Sequence, residues 1–206
     1  LLEMDLLPFH ELETGGLSAE VIAKMNEETF VSLEKNEPRV KTHPKADKAR
    51  VVAIAPEIGQ KLIETIDDHP VVSSYGQENY EQGGTEIGYC FGRATYVHLA
   101  LLKLGVDKQS IRKIWLVGPM VTSGISWQFH VATIVRVTNG QWMVVDNFTG
   151  VLMNVRDWAQ NFYPFNKDFK NLRVYVTEPS KFSVSLGKYS RVQLGLDLRP
   201  DQDWYR

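Results

Sequence analysis

Two alternating segments meet at Thr138-Asn139-Gly140, and this junction constrains the fold more than any other feature of the chain. Trp127–Val137 and Gln141–Asp146 each carry β-branched and aromatic residues at a period of two, and an Asn-Gly pair between such runs is a strong hairpin signal. An antiparallel pair is therefore expected. In the first segment Gln128, His130, Ala132 and Ile134 share one face, and Trp127, Phe129, Val131 and Val135 share the other. Lys113–Val117, Leu172–Thr177 and a pair within Phe182–Leu196 read as further strands.

Helices come before the strands. Ser18 caps one that runs to about residue 35, with an apolar stripe of Val21, Ile22, Met25, Phe30 and Leu33. Val51–Ala55 reads as a strand, followed by a helix from Pro56-Glu57 to near Asp68. Another helix runs from Cys90 to Leu104, where Gly105 stops it at the C′ position. Its stripe is Cys90, Ala94, Val97, Leu101 and Leu104. A short helix capped by Asn154 contains Trp158. Helices first and adjacent strands afterwards indicate an α+β fold. Residues 1–70 read as an N-terminal helical extension, 71–198 as the main α+β domain and 199–206 as a polar tail.

Several function classes drop out. The net charge of −2 gives no field that gathers nucleic acid or anionic lipid. Residues 36–50 hold five basic side chains but no interleaved aromatics, so they read as a solvated connector and not a nucleic-acid surface. No apolar run approaches the roughly 18 residues of a membrane span. The glycine-rich loop over 73–88 has no following Lys-Ser or Lys-Thr and no GxGxxG, so it does not cradle phosphates. With one cysteine there is no internal disulfide and no cysteine-based zinc site, and the histidines show no ligand spacing. No metal and no cofactor are expected. The opening Leu-Leu-Glu-Met-Asp interrupts a signal-peptide core, and the chain reads as a mature or excised segment.

Cys90 is where chemistry concentrates. At the first position of its helix the thiol meets the unpaired N–H groups and the positive end of the macrodipole. That field favours a thiolate, the nucleophilic form, and the same N–H groups can donate to an oxyanion. Gly88 and Gly92 leave space beside the sulfur. Inert packing is the competing reading, since free cysteine is commonly just buried. His130, among small and aliphatic neighbours, suits a face covered by the Cys90 helix; a core histidine bonded to a carbonyl is the alternative. The third partner depends on register. A two-residue turn at Asn139-Gly140 brings Asn147 to the His130 face. A three-residue loop with Gly140 in a G1 bulge brings Asp146 there instead. Asp146 is preferred, because a carboxylate both orients the imidazole and stabilises its protonated form.

The stretch from Gly88 to Phe162 resembles the protein glutaminase (protein-glutamine deamidase) family, a Cys-His-Asp branch near the papain-like and transglutaminase folds. The resemblance rests on Gly88-Tyr89-Cys90-Phe91-Gly92-Arg93-Ala94 opening a helix and Trp127-Gln128-Phe129-His130-Val131-Ala132 opening a strand. Val144-Val145-Asp146 then ends the next strand, and Val155-Arg156-Asp157-Trp158 lies in a helix. It implies a papain-like/transglutaminase-like fold, with the nucleophile helix packed on a mainly antiparallel sheet. Cys90, His130 and Asp146 become nucleophile, base and orienting acid. Tyr89 and Trp127 flank these three and are candidates for a substrate slot, with packing the competing role for either alone. A protein or peptide with an accessible glutamine is the implied partner, and a secreted or periplasmic setting the implied location. The implied reaction is deamidation through a thioester. Transglutamination and cysteine-peptidase chemistry share the same triad, and a non-catalytic binding module on the same fold is the alternative of a different class.

Overall fold

The hairpin closes with the three-residue loop. The computed structural model describes residues 16–35, 51–73, 89–122, 125–166, 171–184 and 187–189. In it the Val137 amide donates to the Gln141 carbonyl, and Gly140 stands at φ 87°. Glycine takes that left-handed conformation without steric cost. Strands β1 (Ile111–Thr122), β2 (Ile125–Arg136), β3 (Trp142–Val145), β4 (Met153–Asn154) and β5 (Arg173–Thr177) form one sheet in the order β4-β3-β2-β1-β5. Every pairing is antiparallel. β3 pairs with β2 from Arg136–Trp142 to Thr133–Val145. Asp146, the next residue, therefore comes level with Ala132.

Among the described residues four α-helices complete an α+β architecture: α1 (Ala19–Lys35), α2 (Pro56–Asp67), α3 (Cys90–Lys103) and α4 (Val155–Gln160). Both sheet faces are covered. On one face Phe30 and Leu33 of α1 and Trp158 of α4 pack with Ile114, Leu116, Ala132, Ile134 and Val144. On the other, Ile63 and Ile66 of α2 and Val97 and Leu101 of α3 pack with Ile111, Val135 and Val145. Ala94 of α3 packs there with Trp115, Val117 and Val131. Withdrawing each large apolar side chain from water contributes roughly 1.5–3 kcal/mol. α1 also closes the open edge of the sheet. Asn26 accepts from the Val174 amide at 2.8 Å and from Arg173 Nη1 at 2.9 Å, and donates to the Leu172 carbonyl at 2.7 Å. Covering an edge strand in this way makes it a poorer template for another chain.

Some expectations need correcting. Val51–Ala55 is not a strand: two isolated parallel bridges, Val51 to Val106 and Ile54 to Val137, carry the chain past two other segments. Val21 and Leu104 sit on their predicted stripes yet are exposed, because each lies at a margin the sheet does not reach. Trp127 leaves the face of Phe129 and Val131 and packs against the cluster holding Met120 and Phe162. The cause is a register shift between Val117 and Met120. Gly118 occupies that bulge at φ 149°, where a Cβ would stand 2.0 Å from the Asn171 carbonyl oxygen. Of the strand pair expected within Phe182–Leu196, the described residues contain one bridge, Lys181 to Lys188. The basic connector, residues 74–88 of the glycine-rich loop and the tail lie outside the described residues. No helix among the described residues is long and apolar enough to cross a membrane.

Candidate active site

The head of α3 presents a cysteine to an uncapped helix end. Tyr89 is the N-cap and its side chain makes no capping bond, so the leading N–H groups are not consumed by a side-chain cap. Cys90 follows as the first helical residue, half-buried against Ala94, Trp115, Val117 and Val131. Beside it Gly92 is exposed, and a Cβ there would meet nothing within 4 Å. Gly88, the other glycine expected to clear space, lies outside the described residues. Tyr89 is half-buried at the rim.

His130 lies on the sheet face opposite the one α3 covers. Its ring stands 4.6 Å from Phe162, 5.5 Å from Phe148 and 5.9 Å from Trp158, centroid to centroid. Phe162 and Trp158 belong to the cluster on the α1/α4 face. The Thr133 hydroxyl, by contrast, donates to the Ala94 carbonyl of α3 on the other face. The expected packing of the Cys90 helix over His130, Ala132 and Ile134 is thus not what forms. β3 pairs with β2 only from Thr133 onward, so beside His130 that edge of β2 has no strand partner among the described residues.

His130 Nε2 lies 2.7 Å from Asp146 Oδ2, and the Cys90 side chain is the ring's second hydrogen-bonding and charge partner. With Nε2 engaged, Nδ1 is the nitrogen left for the sulfur. Asp146 is itself held firmly. Its Oδ2 also accepts from the Trp158 indole N–H at 2.8 Å, and Oδ1 accepts from the Phe148 amide at 3.2 Å. Asn147, the alternative third partner, turns away and donates to Asp67 Oδ1 at 3.2 Å. Of the two registers the Asn-Gly junction allowed, the bulged loop is the one that forms, and it sets Asp146 beside His130.

The electrostatics follow from these contacts. Burial opposes charge on His130, but the Asp146 carboxylate and the Cys90 sulfur outweigh it, and the imidazole is pushed up to about 10. Burial would raise Asp146, yet the facing imidazole, the Trp158 indole and the Phe148 amide hold it below its ordinary range. Both directions describe an imidazolium–carboxylate pair set against a sulfur. Such an assembly can generate a nucleophile and shuttle a proton. Trp127 stands 5.5 Å from Phe165, and Phe165 stands edge-on to Phe148, which is 46% exposed. An aromatic ledge therefore runs up to His130. Neither Phe148 nor the carboxylate-binding role of Trp158 is apparent from spacing. The general rule that a buried indole seeks an acceptor was the available signal for Trp158.

No family model matches the chain, and no curated protein sequence matches it. Among solved structures the fold is similar to the NMR structure of protein-glutaminase from Chryseobacterium proteolyticum. That match has 16% identity over 72% of this chain and 86% of the other, with a TM-score of 0.47. It is also similar to the crystal structure of pro-protein-glutaminase, with 15% identity over 66% of this chain and 52% of the other, at a TM-score of 0.41.

Proposed function

We propose that this chain is a cysteine hydrolase that converts a glutamine side chain in a protein or peptide to glutamate, with release of ammonia. The observation that carries the reading is the His130 imidazole, bonded through Nε2 to a triply held Asp146 and partnered on its other side by the half-buried Cys90. The choice of carboxamide rests on the resemblance of the residues around Cys90, His130 and Asp146 to protein glutaminases. The arrangement is read as papain-like/transglutaminase-like: a helix presents the thiol, and antiparallel strands present base and acid. The described parts of residues 1–70 and 71–198 are read as one unit, since α1 and α2 bury their apolar faces on the same sheet.

In the first half-reaction the Cys90 sulfur attacks the glutamine carboxamide carbon, and the carbonyl oxygen takes the negative charge. The uncapped N–H groups of α3 donate to that oxygen, an interaction worth about 10²–10³ in rate per donor. The carbon–nitrogen bond breaks as His130 gives its proton to the departing amine, leaving a thioester and ammonia. In the second half, His130 takes a proton from water, hydroxide adds to the thioester carbon, and the carbon–sulfur bond breaks to leave glutamate. Asp146 keeps the imidazole oriented throughout and stabilises its charged form. Tyr89 and Trp127 flank the thiol and the imidazole, and are assigned the walls around the glutamine stem.

Incubation with a glutamine-containing peptide, with and without a primary amine, tests the proposal. The expected products are ammonia and a peptide of unchanged length that is heavier by the amide-to-acid exchange. Cys90→Ala should give none. A cut peptide or preferential amine incorporation would replace deamidation by peptidase or transglutaminase chemistry. Parent protein no more active than Cys90→Ala in every assay would leave a binding module.

A further inference from the structure

Lys113 is fully buried, beneath the first turns of α3. Lysine is almost never found so unless paired, and among the described residues no carboxylate forms a salt bridge with it. Its Nζ stands 4.1 Å from the centroid of the Phe91 ring, 4.7 Å from that of Tyr189 and 6.0 Å from that of Trp115. It donates to the Lys181 carbonyl at 3.1 Å. Aromatic faces and a carbonyl are what receive a cation. The cage is braced from behind. The Tyr189 hydroxyl donates to the Pro179 carbonyl at 2.9 Å, and His98 Nδ1 lies 2.6 Å from the same hydroxyl. Having spent its one proton on Pro179, the hydroxyl accepts from His98, so Nδ1 carries the hydrogen.

The neighbours of this amine point toward the nucleophile. Phe91, the cage wall, is the residue after Cys90, and both pack in the cluster with Trp115. Among the described residues the titratable groups that face Lys113 are Cys90 and His98 from α3 and Tyr189 from the segment beyond β5. In register it is flanked by the neutral Thr133 of β2 and Thr177 of β5. Of these groups Cys90 is the one that favours the charged amine. We propose that Lys113 is a positioning residue for the nucleophile, its caged ammonium holding the Cys90 sulfur in the anionic, attacking form. The proposal rests on Cys90 being the nucleophile. Burial pushes Lys113 down to about 7, with the thiolate pulling the other way, so the ammonium is gained and lost near neutral pH. A buried charge retained at the expense of stability beside a reactive group is a recurrent mark of function.

Lys113→Met keeps length and apolar volume but removes the charge. With one cysteine in the chain, iodoacetamide reads the Cys90 sulfur directly. The variant should alkylate about tenfold more slowly at neutral pH, with its rate profile displaced upward by about one pH unit. A unit charge about 12 Å away at an effective dielectric of about 20, or a nearer one more strongly screened by solvent at the half-buried thiol, gives a shift of that size. Its kcat on a glutamine peptide should fall while KM holds, and its thermal midpoint should not drop; Lys113→Arg should recover part of the alkylation rate. A folded Lys113→Met alkylated at the parent's rate across the range overturns the proposal. If Lys113→Met does not fold, a lysine-labelled NMR titration decides instead. Coupling is reciprocal, so the Lys113 midpoint should fall in Cys90→Ala, and an unmoved midpoint contradicts the proposal. Parent protein that alkylates rapidly and deamidates while Lys113→Met behaves identically sinks this inference alone. A parent that neither deamidates nor alkylates faster than a free thiol sinks the nucleophile reading beneath it.

Discussion

His98 and His130 are both buried and lie on opposite sides of the same sheet, yet they are driven in opposite directions. Among the described residues His98 has no carboxylate partner; burial first, and then the Lys113 charge, push it down to about 3. His130 pays the same burial cost but faces Asp146 and the Cys90 sulfur, which push it up to about 10. Burial alone therefore makes a neutral, structural imidazole, and one well-held carboxylate turns an equally buried ring into a cation. The difference lies in what waits at the far side of each ring: a tyrosine hydroxyl for His98, an acid fixed by three donors for His130.

The largest expected effect breaks the comparison at its active end. His130→Ala should lower kcat by about 10³-fold, within the usual range for loss of a general acid–base. Asp146→Asn keeps a polar partner but removes the charge, so kcat should fall by about 10²-fold. That is a smaller loss, because a cysteine depends less on its base than a serine does. The histidine resonances of that variant should show His130 becoming neutral at lower pH than in the parent.

Stability against pH sharpens the contrast. His130 has a folded value above its unfolded one, so the stability it contributes is complete below about pH 6.5 and is lost as pH rises toward about 10. Lys113 lies below its ordinary 10.5, so the unfolded chain binds more protons between about 7 and 10.5, and the cost of burying the amine is relieved over that range. The slopes oppose each other. Lys113→Met should expose the His130 slope, with a thermal midpoint that falls more steeply from pH 7 to pH 10 than the parent's. The smallest effect belongs to His98. Its folded value is depressed, so it destabilises the protein as pH falls from 6.5 toward 3. His98→Gln should flatten the acid side of the stability curve and leave kcat within about twofold, a change too small to reflect loss of a general acid–base.

Much of the site was legible before any coordinates. The helical stripe placed Cys90 at the head of α3, and Gly105 marked that helix's end at φ 81°. The Asn-Gly loop left two registers open and Asp146 is preferred over Asn147 for its charge; the bulged register is the one that forms and sets Asp146 beside His130. What escaped depends on where elements stop. Alternation could say that His130 and Ala132 share a face, but not that α3 would cover the other one. Trp127 moved because Gly118 bulges β1, a local event that a period of two does not encode. Lys113 carries a signal of its own in the strand pattern. It shares strand parity with Ile111, Trp115 and Val117, so a lysine at that position is committed to the interior.

An NMR titration that follows both imidazoles in one sample tests the central claim most directly. His130 should remain protonated well past neutral pH, with a midpoint that falls in Cys90→Ala, while His98 stays neutral far into the acid range. A His130 that titrates near 6.5 or below, indifferent to the loss of Cys90, would contradict the pairing of sulfur, imidazole and carboxylate.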